Sequence, residues 1–229
     1  MNNYWSKISI ITRKKISSIC LDDKPLLSIE KNNLEFKNIK TALILKNEIK
    51  SSEKIKSFNK LFYFNILSFG IDKIKKNKNN YLQEIFKYIN TDLICYRADK
   101  PDDLVKLQTK MWNPILDRFE KEDLKFNQFV GVMPRSQPKS SIEKFKKKFK
   151  EYDEFEISCF LKLTQITGSV ILSYSLLKKY FSEKYIFDCS VLDEKWQSKQ
   201  WGEIEEIEKK HNEEFLKIKK IKLLFNTMR

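Results

Sequence analysis

Apolar residues in the first 36 positions form short, β-branched runs separated by turn residues. Residues 5–11 and 16–21 have the composition of strands, and residues 26–36 supply one bent strand or two. Residues 22–25 provide turn chemistry between these runs. The pattern predicts a small antiparallel meander, which must bury one face and is therefore expected to lie against helices.

From residue 39 the apolar spacing changes to steps of three and four, which indicates helices. Helices are predicted at four places: residues 39–49, 58–74, 82–89 and 101–119. Within the last of these, Pro114 is expected to kink or restart the helix. Two short segments interrupt the helical pattern. Residues 92–97 have the pattern of a short strand or a buried turn, and residues 127–133 that of a short strand.

Residues 157–177 are almost wholly apolar and are long enough to span a membrane. Lys162 and Gln165 are expensive inside a bilayer, and charged residues flank the run on both sides. We therefore interpret the run as one buried central helix. Gly168 and Ser169 lie near its middle, where small residues let another helix approach closely. The alternative is a glycine that is merely tolerated, at a cost of about 1 kcal/mol.

The last third of the chain has the clearest helical periodicity. Its apolar positions recur at steps of three and four from Trp201 onward: Ile204, Ile207, His211, Phe215, Ile218, Ile221 and Phe225. Glutamates crowd the start of this stretch and lysines its end, an arrangement that suits the helix dipole. The pattern predicts one long amphipathic helix.

The composition favours a folded protein and argues against several classes of enzyme and metal site. The chain has 229 residues, of which 41% are hydrophobic, enough for a substantial core. It contains four glycines, five prolines and one histidine, which argues against glycine-cradled phosphate sites and histidine-rich metal centres. That histidine, His211, has neither an orienting partner nor a nucleophile among its sequence neighbours. We expect no enzyme activity, no metal site and no cofactor.

The 45 basic and 31 acidic residues give a net charge of +14. Such a balance favours an anionic partner, and residues 144–150 hold one of the densest lysine runs. A lysine-rich nucleic-acid-binding protein is therefore the alternative function, and peripheral membrane contact through the same lysines is a weaker one. However, Phe145 and Phe149 within that run have the spacing of core positions. Because lysine, asparagine and isoleucine are abundant throughout, charge alone is a poor guide to function.

Four cysteines lie far apart, at positions 20, 95, 159 and 189, which is typical of small buried side chains in a reducing compartment. The first residues carry neither an apolar core of signal-peptide length nor an arginine-rich transit character. We expect an unprocessed cytoplasmic protein of a bacterium, or a protein of the mitochondrial matrix if the source is eukaryotic.

The segment with the most distinctive sequence motif spans residues 192–205, Leu-Asp-Glu-Lys-Trp-Gln-Ser-Lys-Gln-Trp-Gly-Glu-Ile-Glu. Three shorter segments stand upstream of it: residues 91–98, 112–116 and 167–169. In this order and spacing the set resembles the ATP-twelve family, the assembly chaperones for the α subunit of the catalytic head of F-type ATP synthase. The resemblance covers residues 5–211 and is weakest between residues 38 and 60. There Glu48 keeps an acidic position of the family without its neighbouring tryptophan.

The resemblance implies a protein without catalytic activity that binds the newly made α subunit and shields its interface until the β subunit replaces it. Through the E-x-x-Q-x-x-x-W-G motif it implies five partner-binding residues: Glu194, Gln197, Trp201, Gly202 and Glu205. Seven further residues of the matching segments are expected to have structural roles: Asp92, Tyr96, Arg97, Trp112, Pro114, Gly168 and Ser169.

Pattern and resemblance together predict the α+β fold class, with a small N-terminal antiparallel β-rich part packed on a larger, mostly helical orthogonal bundle. The expected domains are residues 1–52, with the sheet and the first helix, and residues 53–229, with the bundle. The expected partner is the α subunit of F-type ATP synthase. We expect no nucleic-acid partner, no stable membrane insertion and a monomer.

The motif residues allow two interpretations. Glu194, Gln197 and Trp201 are spaced at three and four, so that one helix face presents them to a partner. In the other interpretation Trp196 and Trp201 are core residues, and Glu194 satisfies a buried Arg97. A further set equally suits an internal polar network that holds the bundle together: Asp92, Tyr96 and Arg97.

Overall fold

The computed structural model of the protein describes residues 5–52, 57–131, 133, 135–202 and 205–229. Within these ranges the chain is mostly helical and carries a small antiparallel sheet near its N-terminal end, which confirms the α+β class. The contacts divide it into two compact units. The first unit comprises Met1–Tyr81, Tyr152–Cys159 and Leu223–Arg229, and the second comprises Leu82–Glu151 and Phe160–Lys222. The division into domains 1–52 and 53–229 stays a prediction.

Four strands of the first unit form one antiparallel sheet: β1 (Ile8–Arg13), β2 (Ile16–Leu21), β3 (Lys24–Pro25) and β4 (Glu35–Phe36). Strand β2 pairs with β1 along its whole length and with β3 and β4 over two residues each. The turns at Lys14-Lys15 and at Asp22-Asp23 have positive φ at both residues, as two-residue hairpin turns require. The predicted meander and its turn are thereby confirmed.

The segment between β3 and β4 is mostly irregular, so the prediction of one bent strand or two over residues 26–36 is wrong for most of its length. The buried carboxylate of Asp72 fixes this segment through one backbone N–H and two side chains. It accepts hydrogen bonds from the Ser28 hydroxyl at 2.5 Å, the Asn32 side-chain amide at 2.7 Å and the Glu30 backbone N–H at 3.0 Å. These bonds hold the segment as a turn.

The main helices of the first unit are α1 (Ile39–Ser51) and α2 (Phe62–Phe69), and α2 continues as a π-helical turn over Gly70–Ile74. No side chain at the residue preceding α2 caps its first N–H groups. Glu48 of α1 does so instead, because its carboxylate accepts the backbone N–H groups of Tyr63 at 2.9 Å and Phe64 at 3.1 Å. The acidic position that stands out at residue 48 therefore ties α1 to α2.

The second unit contains the remaining helices and two short strands. Its strands, β5 (Tyr96–Arg97) and β6 (Phe129–Val130), pair in parallel and confirm the short strands predicted near these positions, although Val132 lies outside the described residues. Its helices are α3 (Lys78–Lys87), α4 (Asp102–Glu120), α5 (Lys139–Lys147), α6 (Glu154–Thr167), α7 (Val170–Leu177), α8 (Glu183–Ser190), α9 (Leu192–Trp201) and α10 (Glu205–Asn226). Of these, α3, α6 and α10 also contribute residues to the first unit. Pro114 lies inside α4, which does not restart there.

Each unit has its own hydrophobic core. In the first unit Leu45 and Leu67 are fully buried, and the rings of Phe36 and Phe155 pack with centroids 5.6 Å apart. In the second unit five buried aromatic rings pack in T-shaped and tilted pairs: Phe119, Phe145, Phe149, Phe160 and Tyr174. The core interpretation of Phe145 and Phe149 is therefore confirmed.

The apolar run over residues 157–177 is two helices, α6 and α7, and not one. The chain leaves helical geometry at Gly168, whose φ of 64° is the left-handed conformation that favours glycine. A Cβ there would meet only the Cβ of Leu93, at 3.9 Å, so backbone conformation and not close helix approach explains the glycine. No helix formed by the described residues is long and apolar enough to cross a membrane.

The C-terminal periodicity also spans two helices. Helix α9 ends at Trp201, Gly202 has a φ of 101°, and α10 begins at Glu205. Ile204, which belongs to the apolar pattern, lies outside the described residues. The predicted long amphipathic helix is confirmed as α10, and only its start at Trp201 is wrong, because Trp201 ends α9 yet fits the same apolar spacing.

Replacing Gly70 by alanine tests the packing of the first unit. A Cβ at this position would lie 2.9 Å from the Phe155 ring and 3.0 Å from the Glu154 carbonyl oxygen. Overpacking costs about 1–3 kcal/mol and outweighs the helix-propensity gain of about 1 kcal/mol. We expect urea denaturation to show a lower free energy of unfolding for Gly70→Ala and little change for Asn79→Ala, at an exposed helical position. Unchanged stability of Gly70→Ala would contradict this close packing.

Candidate functional site

Helix α9 carries three of the motif residues singled out from the sequence. Glu194, Gln197 and Trp201 all lie on it and all are exposed, and Trp201 has 78% of its surface in solvent. A tryptophan this exposed is not a core residue, so the core interpretation of Trp201 is wrong. The helix thus displays a large aromatic side chain together with a carboxylate and an amide.

Trp196, the other tryptophan of the motif, is half-buried. Its indole Nε1 donates a hydrogen bond to Oδ2 of Asp103, 2.9 Å away in the first turn of α4. The two tryptophans therefore have different environments. Trp196 connects α9 to α4, whereas Trp201 extends into solvent at the end of the helix.

Glu194 pairs with His211, not with Arg97 as the core interpretation predicted. The Oε2 atom of Glu194 lies 2.8 Å from Nε2 of His211 and 3.7 Å from Nζ of Lys210. The imidazole is 7% exposed and packs edge-on against Phe187. Sequence analysis missed this pair because its members are 17 positions apart on different helices. The available signal was a single histidine on the apolar side of α10.

Arg97 and Trp112 lie behind α9. The Arg97 guanidinium is 5.0 Å from the centroid of the Trp112 ring and donates from Nη1 to the carbonyl of Gln108 at 3.0 Å. Gln108 in turn donates from Nε2 to Oδ1 of Asp193, at 2.9 Å. The Trp112 indole donates to the carbonyl of Cys189 at 3.1 Å. These contacts connect α4 to the end of α8 and the start of α9.

Asp92 is fully buried beside the break between α6 and α7. Its Oδ1 accepts the Ser169 hydroxyl at 2.6 Å and the Ile94 N–H at 3.3 Å, and its Oδ2 accepts the Ile171 N–H at 3.1 Å. Burial raises the pKa of Asp92 to about 6, against the opposing effect of these hydrogen bonds. Ser169 also accepts the N–H of Leu172 at 2.9 Å and caps α7.

Tyr96 and Pro114 have separate surroundings. The Tyr96 hydroxyl donates to the carbonyl of Asn90 at 2.6 Å and accepts the N–H of Arg135 at 2.9 Å. Pro114 is an exposed residue inside α4. Among the described residues, Asp92, Tyr96 and Arg97 therefore bind different partners and do not form one joint network.

The last two motif residues flank a gap in the described chain. Gly202 ends α9, and its N–H donates to the carbonyl of Ser198 at 2.9 Å. Glu205 is exposed and begins α10. It therefore belongs to a different helix from Glu194, Gln197 and Trp201.

The lysine-rich helix α5 is poorly suited to stacking on nucleobases. Phe145 and Phe149 are fully buried and cannot reach a base. Three lysines form ion pairs with acidic side chains, two on α5 and one directly after its end: Lys144 with Asp123, Lys146 with Glu143 and Lys148 with Glu122. The described residues contain no group of acidic, cysteine and histidine side chains arranged to hold a metal ion.

Residues 2–120 match the sequence model of the family described as ATP12 chaperone protein. This match covers just over half of the 229 residues. The chain belongs to this family. The family resemblance identified in the sequence is thereby confirmed, although helix α9 lies beyond the matched residues.

Relatives of known structure extend the comparison over the whole chain. Two crystal structures of Atp12 from Paracoccus denitrificans, one of a point mutant, have TM-scores of 0.91 at 23% and 22% identity, with 100% of this chain and 98% of theirs covered. The Atu1473 protein from Agrobacterium tumefaciens has a TM-score of 0.93 at 25% identity, with 99% and 85% covered. The chain therefore has the ATP12 fold throughout, including α9.

A mitochondrial relative is more distant in sequence. Protein atp12 of Schizosaccharomyces pombe is 20% identical over 152 residues, which cover 63% of this chain and 52% of the relative. The chain thus matches about half the length of that protein. The ATP12 assignment rests on the family match, and the solved structures show the shared fold.

The buried carboxyl of Asp92 predicts a pH dependence of stability. Because its folded-state pKa of about 6 lies above the ordinary value of 3.8, its stabilising contribution is complete below about pH 4 and is lost as the pH rises through 6. The loss amounts to about 3 kcal/mol. As the pH rises from 4 to 7, urea denaturation should show that the wild type loses free energy of unfolding relative to Asp92→Asn, whose side chain does not titrate. A difference that stays constant over this range would contradict a raised pKa.

Proposed function

We propose that this protein is an assembly chaperone for the catalytic head of F-type ATP synthase. It binds the unassembled α subunit, covers the interface that would otherwise aggregate, and is displaced when the β subunit takes its place. Membership of the ATP12 chaperone family supports this role. Newly made subunits expose apolar interfaces, and such patches associate nonspecifically unless they are covered.

The observation that carries the proposal is the 78% exposure of Trp201 on the motif helix α9. Tryptophan is enriched among residues that dominate binding energy at protein interfaces, because it buries a large area and keeps a polar N–H. In the folded monomer the exposed indole of Trp201 contributes little burial of apolar surface, so its position does not stabilise the fold. Gln197 and Glu194, on the same helix, supply groups for hydrogen bonds to the partner.

Such a chaperone needs differential affinity and no chemical step. It must bind the free α subunit tightly enough to keep its interface covered, yet less tightly than the β subunit does in the completed α–β interface. We propose accordingly that it acts as a monomer without a cofactor. It works in the compartment where α subunits are made, the bacterial cytoplasm or the mitochondrial matrix.

Two alanine variants test the role of α9. Glu194→Ala and Trp201→Ala should abolish co-purification with the α subunit, because they remove the carboxylate and the aromatic anchor. Trp201 is exposed, so Trp201→Ala should change thermal unfolding little. Glu194→Ala leaves the buried His211 imidazole without its partner, which should cost about 1–3 kcal/mol, so capture is compared at a temperature where this variant is folded. The matched controls on α10 are Glu213→Ala, at an exposed ion pair, and Leu216→Ala, at an exposed apolar position. Both controls should retain the α subunit.

The measurement is affinity capture of the α subunit by the tagged full-length chain, with and without co-expressed β subunit. We expect the captured complex to lack β. Wild-type protein that captures no α subunit would refute the proposed function. Undiminished capture by both Glu194→Ala and Trp201→Ala would refute the assignment of the site to α9.

A further inference from the structure

A half-open groove lies in the second unit between α4, α9 and α10, with a volume of about 400 Å³. All three helices contribute to its apolar lining: Leu107, Met111, Leu192, Trp196, Ile207 and His211. Leu192 and His211 are buried, whereas the other four side chains remain partly exposed. The chain by itself thus leaves a continuous apolar surface in contact with water, which is a feature of interaction sites.

The groove is continuous with the motif helix. Trp196 of α9 forms part of its wall, and Trp201 follows five residues later on the same helix. His211 of the lining is the residue that binds Glu194. Anything that occupies the groove therefore lies against α9 and next to the Glu194–His211 pair.

The charged residues of the lining balance, with Asp188 and Glu208 against Lys195 and Lys199, and the excess negative charge lies beside the groove at the start of α10. Lys195 is neutralised by Asp188, with Nζ and Oδ1 2.7 Å apart. Three exposed glutamates open α10, and no ion pair engages them within the described part of the chain: Glu205, Glu206 and Glu208. Lys199 is the one lysine of the lining besides Lys195. Residues 182–208 hold eight acidic residues against three lysines, in a chain whose net charge is +14.

We propose that this groove binds a large apolar side chain from a lysine- or arginine-bearing segment of the partner, with the cations of that segment facing the glutamates that open α10. Apolar contact in the groove supplies affinity, and the negative charge beside it selects the segment and its orientation. The identity of the partner as the unassembled α subunit rests on the proposed function. The place and the chemistry of the contact are the new inference.

Two variants obstruct the groove in different ways. Ile207→Lys places a cation in the apolar lining, where it repels an incoming basic segment, and Ser198→Phe fills the groove without changing the charge. The matched control is Leu216→Lys, which makes the same kind of substitution at a 56% exposed position of α10. Circular dichroism melts establish that all three variants fold.

Binding is measured by calorimetric titration of the full-length protein with 15-residue peptides that tile the α subunit. Peptides that bind should contain a large apolar residue flanked by at least two lysines or arginines. Ile207→Lys and Ser198→Phe should weaken them at least tenfold, and Leu216→Lys less than twofold. Reversal of Glu205, Glu206 and Glu208 to lysine should abolish binding, whereas Glu213→Lys should not. Affinity should fall severalfold between 50 and 300 mM NaCl.

The outcomes separate this inference from the proposed function. If the wild type captures no intact α subunit, the proposed function fails. If capture and peptide binding persist unchanged in Ile207→Lys and Ser198→Phe, the groove proposal alone is refuted. Equal binding of peptides without basic residues refutes the charge preference. Concentration-dependent dimers in sedimentation that both variants abolish would assign the groove to a second copy of this chain, and would also refute the proposal.

Discussion

Burial of a single carboxyl group determines how the centre of the second unit is arranged. Asp92 has no access to water, so every hydrogen bond it needs must come from the protein, and the donors belong to Ser169, Ile171 and the turn that follows Asp92 itself. The turn between α6 and α7 places the Ser169 hydroxyl and the Ile171 N–H next to the Asp92 carboxylate. Ser169 performs two tasks there, since its hydroxyl donates to Asp92 and accepts from the first turn of α7.

Helix α9 is held by three helices of the same unit, since α8 contacts it through Asp188–Lys195 and α10 through His211–Glu194. Polar contacts from α4 reach it at Asp193, through Gln108, and at Trp196, through Asp103, while Trp112 anchors the preceding carbonyl of Cys189. Such directional contacts restrict the position of a helix without covering its outer face. Helix α9 is thus held along its first half, whereas Gln197 and Trp201 in its second half stay exposed and are available to a partner.

Local chemistry made parts of this protein predictable from sequence. Short β-branched runs and the turn residues 22–25 indicate the antiparallel meander, and the helical spacing of Phe145 and Phe149 identifies core residues. Features that depend on contacts between residues far apart in sequence could not be predicted. The irregular segment after β3 depends on Asp72, some 40 positions later, and the Glu194–His211 pair joins separate helices. Apolar spacing does not reveal a glycine with positive φ, so it predicts one helix where α6 and α7 form and starts the C-terminal helix too early, at Trp201.

The four tryptophans of the chain have graded environments, from fully buried Trp112 through half-buried Trp5 and Trp196 to Trp201, which is almost free in water. Indole emission moves to longer wavelength as the ring becomes hydrated, and soluble quenchers reach only exposed rings. The intrinsic fluorescence of this protein therefore has a red component dominated by one residue. That residue is the one placed to meet a partner, so the chain carries its own optical reporter of complex formation, with no dye attached.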